Sequence, residues 1–281
     1  MSIELFDTHA HYNDEKFDED REHLIQEIYN FGITKLVNAG YSLESSKKAI
    51  KIAEKYGWMY AICGISPNDV PLTEAELEEQ FNELEKLIVQ HRYVRDVDND
   101  TRDLTKTVDN DKKIVAIGEI GLDYYWNKEN KKLQKYCFIK QIELANKIGL
   151  PIVIHTREAI NDTIDILKNQ INVTKKGIFH CCPLNKELVK QALSLGFYIS
   201  FAGPITFKNT KNADEIIQMV PLDKILIETD SPYLSPEPNR GKRNDSRNIY
   251  YIAEKIAKIK GISLEEIANQ TYKNAERIFE I

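Results

Sequence analysis

The run Ile114-Val115-Ala116-Ile117-Gly118-Glu119-Ile120-Gly121-Leu122-Asp123 is apolar without alternation until one carboxylate, Glu119, interrupts it between two glycines. A continuous apolar run is the pattern of a parallel strand covered on both faces, so 114–119 reads as a strand with an acid at its end. Seven more runs of this kind stand at 4–7, 35–39, 59–63, 151–155, 177–180, 198–201 and 225–228. Amphipathic segments lie between them, near 20–31, 45–56, 74–90, 129–148, 159–169, 186–195 and 212–219, and the tail is helical again at 247–260 and 263–279. Ser263-Leu264-Glu265-Glu266 reads as a capping box, with Ser263 as N-cap and Glu266 three residues on. Eight β units with interleaved helices specify a single (β/α)8 TIM barrel with C-terminal helices more naturally than an eight-stranded doubly wound sheet.

Composition agrees. The 281 residues are 42% hydrophobic, enough to supply a large core and to exclude bulk disorder. At roughly 150 residues per domain the length would suggest two domains, but one barrel takes about 250, so 1–281 is expected to be one domain. No apolar run approaches the roughly 20 residues needed to span a bilayer. The N-terminus lacks the basic-then-apolar order of a secretory signal. Cys63, Cys137, Cys181 and Cys182 form no C-x-x-C pair and read as reduced, mostly buried thiols in a cytoplasmic protein. The net charge of −6 argues against a chain that coats nucleic acid through a global basic surface. One stretch, 92–113, is highly charged and reads as a surface loop or short excursion. Within it Asp96, Asp98 and Asp100 have the spacing that opens a calcium loop, but Thr101 and Thr107 occupy the positions that need glycine and glutamate, so no calcium site is expected.

The chemistry gathers at the strand ends. In Asp7-Thr8-His9-Ala10-His11 the two histidines lie two apart and share a face of the first strand. Glu119 ends the fourth run, His155 the fifth and His180 the sixth, and Asp230 follows the eighth. In a parallel barrel these ends meet at one mouth, the usual place of catalytic residues. His23 and His91 fall in helical segments and read as surface residues. Six metal-competent side chains exceed the four of a tetrahedral ion and suit two ions. With Glu119 as the bridge, the first ion would see His9, His11, Glu119 and Asp230, and the second Glu119, His155 and His180. Two such ions clamp the water and the leaving oxygen of a phosphodiester. Asp230 could also accept the proton of that water.

The motifs that include these residues, with Phe179-His180-Cys181, Glu228-Thr229-Asp230-Ser231-Pro232-Tyr233-Leu234 and Gly241-Lys242-Arg243-Asn244, resemble the TatD family of metal-dependent deoxyribonucleases in order and spacing along essentially the whole chain. The resemblance implies a TIM barrel, two divalent cations, the same metal roles, and hydrolysis of DNA, often as a 3′→5′ exonuclease. It implies activity with Mg²⁺ or Mn²⁺; the mixed imidazole and carboxylate set also suits Zn²⁺. There are departures. Gly64-Ile65-Ser66-Pro67 replaces a Gly-x-His-Pro pattern, Cys181-Cys182-Pro183-Leu184 follows His180, and Asn244-Asp245-Ser246 replaces the more usual Asn-Glu-Pro.

Phosphate needs positive partners. The candidates are Arg157, Lys208, Arg240, Lys242 and Arg243, the last three in the densest basic loop of the chain, where the other reading is a solvated loop or an ion pair with Asp245. Tyr124, Tyr125 and Trp126 could stack on bases or pack under the rim. Competing functions are a small-molecule amidohydrolase or phosphotriesterase, a scaffold with a structural metal, and, by resemblance, a deacylase of D-aminoacyl-tRNA. Many amidohydrolases and phosphotriesterases place a modified lysine where this chain has Glu119, and the open positions of a cysteine-free ligand set suit catalysis better than scaffolding. DNA with single-stranded or frayed ends is the expected partner.

Overall fold

The computed structural model describes residues 3–96, 101–107 and 113–281. The strands are β1 (Leu5–Ala10), β2 (Ile33–Ala39), β3 (Met59–Cys63), β4 (Tyr93–Asp96), β5 (Thr101–Thr107), β6 (Ile114–Asp123), β7 (Ile152–Arg157), β8 (Gly177–Phe179), β9 (Tyr198–Phe201) and β10 (Ile225–Ile227). The helices are α1 (Arg21–Phe31), α2 (Leu43–Glu54), α3 (Glu74–Arg92), α4 (Lys131–Ile148), α5 (Ile160–Asp165), α6 (Lys186–Ser194), α7 (Ala213–Met219), α8 (Ile249–Lys260) and α9 (Leu264–Phe279). Eight strands form one sheet in chain order, β1-β2-β3-β6-β7-β8-β9-β10, and β4 and β5 form a separate antiparallel ribbon.

All eight expected strands are present. Among them, β1 continues past its apolar pattern through His9 to Ala10, and β6 through Glu119 to Asp123. The backbone ladder carries these polar residues on buried strand, so they sit inside the elements rather than beyond them. The charged stretch after α3, expected as a surface loop or short excursion, contains the β4–β5 ribbon. Tyr93-Val94 and the threonines of β5 are good strand formers among the charges, and a period-two pattern this short is hard to separate from a loop. The positions of Asp98 and Asp100 lie outside the described residues. Among the described residues no helix is long and apolar enough to cross a membrane.

The chain divides into two compact units, 1–37 with 176–281, and 38–175. In the first, α9 covers β1 and β10. Phe6 of β1 meets Tyr272 edge-on at 5.6 Å and Phe279 at 6.1 Å. Buried Asn274 donates to the carbonyls of Leu222 and Ile225, both at 2.9 Å, fixing α9 to the start of β10. The Ser263 capping box forms as read: its hydroxyl accepts from the Glu266 amide at 3.1 Å, and Glu266 Oε2 accepts from the Ser263 amide at 3.0 Å. Past the strand ends, the Asp230 amide donates to the His9 carbonyl at 2.9 Å and the His11 amide to the Ser231 carbonyl at 2.6 Å. The first and last strands of the sheet order are therefore laced together where the candidate ligands begin.

In the second unit, β3, β6 and β7 are parallel neighbours. Ile117 pairs with Ile152, but Ile120 pairs with Ile154, so β6 uses one more residue than β7 over this step. The irregularity falls on Gly118-Glu119, whose peptide is cis. Bulges of this kind re-aim a side chain, here that of Glu119. Buried Gln141 of α4 caps the turn after β3, accepting from the Ile65 amide at 2.8 Å and donating to its carbonyl at 3.0 Å.

Candidate metal centre

In the first unit the alternation of β1 brings His9 and His11 together, their Nε2 atoms 3.2 Å apart. Asp230 Oδ1 lies 3.1 Å from His11 Nε2 and 3.8 Å from His9 Nε2. Donors held about 2.0–2.2 Å from one ion stand roughly 3–3.5 Å apart; two of the three separations fall in that range and the third is slightly wider, so the triad could hold a divalent cation. Burial alone would raise the Asp230 carboxyl, but the hydrogen bond with His11 and the fields of His11, His9 and His180 outweigh it and hold the group below the usual carboxylate range. Asp230 takes a left-handed φ of 55°, and Cys181 one of 36°. Strained residues of this kind cluster at functional sites.

His180 stacks on His9, with ring centroids 4.1 Å apart. Its Nδ1 stands 3.2 Å from Oε1 of Glu228, which also accepts from the Cys181 amide at 2.8 Å. Glu228 is fully buried. This pairing assigns the proton to Nδ1 and leaves the lone pair a cation would take on Nε2, the usual way a carboxylate behind a histidine sets its tautomer. Asp7 is the corresponding anchor for β1. It accepts from the amides of His9 (3.3 Å) and Thr229 (3.0 Å) and from the hydroxyls of Thr229 (2.5 Å) and Ser246 (2.6 Å). Burial pushes the Asp7 carboxyl up to about 7 against the pull of these hydrogen bonds.

In the second unit His155 lies between two carboxylates. Its Nδ1 is 2.9 Å from Glu119 Oε1 and its Nε2 is 3.0 Å from Asp123 Oδ2. Asp123 is buried, which by itself raises its pKa, but the His155 hydrogen bond and the amides of Trp126 and Tyr125 bring it below the ordinary value. With Nε2 tied to Asp123, Nδ1 is the nitrogen that faces Glu119. The backbone allows this only because residue 121 is glycine: φ is +139° and a Cβ there would stand 2.0 Å from the His155 carbonyl oxygen.

Asp7, Asp123 and Glu228 carry no assigned role in the sequence reading, although each stands inside a quoted motif. The two-residue spacing that pairs His9 with His11 extends back to Asp7, and from Asp230 back to Glu228. That spacing was the available signal. His23 lies exposed beside Glu27 at 3.6 Å, and His91 Nδ1 bonds the Leu87 carbonyl at 2.8 Å. Three of the four cysteines are buried, and all four are thiols outside any disulfide. The Ser66 hydroxyl, standing where the family pattern has histidine, donates to Asp69 Oδ2 at 2.7 Å.

The basic candidates sort differently. Arg157 is exposed, its guanidinium carbon 3.9 Å from the centre of the Tyr125 ring. Lys208 is exposed. Arg240 stacks on Phe207 at 4.1 Å and donates to Asn209 at 3.3 Å. Arg243 grips Asp20 with both guanidinium nitrogens, at 2.9 and 2.5 Å, and donates to the Lys16 carbonyl. Asp245, the ionic partner considered for this loop, is bound instead by Arg247 at 2.9 Å. Lys242 is exposed and lines a polar cleft of about 260 Å³ with Asn239, Arg243 and Arg247.

A model of the TatD related DNase family matches residues 6–280. The uncharacterized metal-dependent hydrolase YabD of Bacillus subtilis is 38% identical over 278 residues, covering 99% of each chain. The uncharacterized metal-dependent hydrolase MG009 of Mycoplasma genitalium is 32% identical over 289 residues, again 99% of each. Among solved structures, YJJV, a TatD homolog from Escherichia coli K12, superposes with a TM-score of 0.86 over 100% of both chains at 22% identity, a likeness of fold. By match across its length and by sheet order, the chain belongs to the TatD related DNase family, metal-dependent hydrolases built on a (β/α)8 barrel.

Proposed function

We propose that this protein hydrolyses phosphodiester bonds of DNA at single-stranded or frayed ends, as a two-metal 3′→5′ exonuclease of the cytoplasm. The observation that carries the reading is the cluster of buried His9 and His11 with half-buried Asp230, donors 3.1–3.8 Å apart, a mixed nitrogen and oxygen set that leaves coordination positions open. The family description supports DNA as the substrate. In this reading His9, His11 and Asp230 would hold one cation, His155 and His180 would hold the second, and Glu119 would be shared by both.

Two divalent cations held there, Mg²⁺ or Mn²⁺ for activity with Zn²⁺ also suiting the donors, would supply Lewis-acid polarisation of the scissile phosphate. The protein's own groups do the rest. Asp230, ionised at neutral pH, takes the proton of the attacking water on its carboxylate. Glu228 and Asp123 keep His180 and His155 in one tautomer each. Arg157 and Lys242 offer charge to the non-bridging phosphate oxygens, with Lys208 and Arg240 further along the strand; Arg243, committed to Asp20, shapes the loop.

A time course on end-labelled single-stranded DNA with Mg²⁺ or Mn²⁺ tests this. Laddering from the 3′ end, stopped by EDTA and lost in a folded Glu119→Ala variant, is the expected result. Turnover of an ester or lactone panel with DNA left intact would replace it with a small-molecule hydrolase.

A further inference from the structure

The segment that follows β6 carries two large aromatic side chains into solvent beside the candidate centre. Tyr125 is 42% exposed and Trp126 67%. Exposed rings of this size, adjacent in sequence, are unusual on a soluble surface unless something covers them. Tyr124, next to them, is different: it is 7% exposed, its hydroxyl donates to Asp162 at 2.6 Å and the Lys131 ammonium covers its ring at 4.3 Å. The structure thus separates one packed ring from two presented ones.

The two presented rings are held, not loose. Asp123 Oδ1 accepts from the amides of both Tyr125 and Trp126, each at 2.9 Å, while its other oxygen takes His155 Nε2 at 3.0 Å. One carboxylate therefore sets the aromatic pair in fixed register with a metal-binding histidine. Below it, fully buried Gln134 accepts from the Asp123 amide and donates to the carbonyls of Asp123 and Asn127, stapling the turn. The rings meet edge-to-face at 4.7 Å. Arg157, paired with Asp123 across β6 and β7, lays its guanidinium over Tyr125 at 3.9 Å and stands 5.4 Å from Trp126. A stacked guanidinium is fixed in orientation while its N–H edge stays open to an anion.

The geometry points to a nucleotide subsite at Tyr125, Trp126 and Arg157, in which the Trp126 face stacks on an unpaired base and the Arg157 edge binds its phosphate. The charge pattern selects this occupant: a π face beside a held cation complements a flat neutral ring joined to an anion, as in a single-stranded nucleotide. The subsite rests on the nuclease reading above, and it adds that the protein senses bases and not only the phosphate chain.

The chain has two tryptophans, Trp58 and Trp126, so the emission of Trp126 is the difference between wild type and Trp126→Phe. The wild type is titrated in Mg²⁺ with phosphorothioate oligothymidylate, which resists hydrolysis, and with a phosphorothioate chain of equal length carrying abasic residues. We expect quenching of Trp126 by the base-bearing chain and affinity about tenfold tighter than for the abasic one. Trp126→Leu and Tyr125→Leu should remove that preference, and Arg157→Gln should weaken both chains alike. Equal affinity of the wild type for the two chains, or no quenching, overturns the subsite. Hydrolysis of ordinary oligothymidylate is followed in parallel. Turnover without base preference rejects the subsite alone, whereas base-dependent quenching without turnover upholds the subsite and rejects the nuclease.

Discussion

Behind His180, His155 and β1 stand three buried carboxylates, Glu228, Asp123 and Asp7. Replacing Glu228 with glutamine keeps the shape but removes the charge that holds the Nδ1 proton of His180. Such partners are worth about 10–100-fold in metal affinity, and calorimetric titration with Mn²⁺ should show a loss in that range with the fold intact. Asp7 gives a pH signature. Its pKa is raised by burial to about 7, so the folded chain holds this proton more tightly than the unfolded one. The resulting contribution is full below the ordinary value of 3.8 and is lost as pH rises toward 7. Asp230 has the opposite sign: its lowered pKa makes its contribution present at neutral pH and lost on acidification. In chelator-treated protein, Asp7→Asn should therefore gain on the wild type between pH 4 and 7, by a total on the order of 4 kcal/mol, read from denaturation midpoints. The histidines were legible because two-residue spacing on a strand needs no knowledge of what lies opposite. Glu228 shares that spacing, but its partner His180 is 48 positions away and visible only in the folded chain.

At the scale of elements, the eight barrel strands were legible because both faces are buried and their sequence is continuously apolar. Their polar ends were less so, since a ladder of hydrogen bonds continues past the apolar run: β6 reaches Asp123 and β1 reaches Ala10. The strands of the β4–β5 ribbon were not legible within the expected loop or short excursion for the converse reason, their strand formers being scattered among charges. The bulge at Gly118-Glu119 could not be foreseen, because it is a mismatch between two strands rather than a property of either. Gly121 marks the same junction. Its left-handed φ and the 2.0 Å approach of a Cβ to the His155 carbonyl leave no room for a side chain. Gly121→Ala should cost about 3 kcal/mol and weaken metal binding more than Gly149→Ala, where φ is +66° but nothing lies within 4 Å. Thermal melts of the two variants, with and without Mn²⁺, make the comparison.

At the scale of the whole molecule, a net charge of −6 coexists with a proposed polyanionic substrate. The two are compatible if the protein grips few phosphates locally, and the commitment of Arg243 to Asp20 and of Arg247 to Asp245 and Glu27 reduces the free cations further. Binding of single-stranded DNA should then fall only gently with salt. About three phosphate contacts give a slope near −2 in log affinity against log salt, and fluorescence titrations from 50 to 300 mM salt should return that value rather than the steep slope of a coating protein. The central claim is that the strand-end histidines and carboxylates hold two cations that act together on a phosphodiester. The most direct measurement follows hydrolysis of end-labelled single-stranded DNA by stripped protein as Mn²⁺ is added back in known equivalents. The rate should climb until two equivalents are bound per chain, and Glu119→Ala, still folded, should stay inactive at any metal loading. Full activity at one equivalent, or undiminished activity in Glu119→Ala, would contradict it.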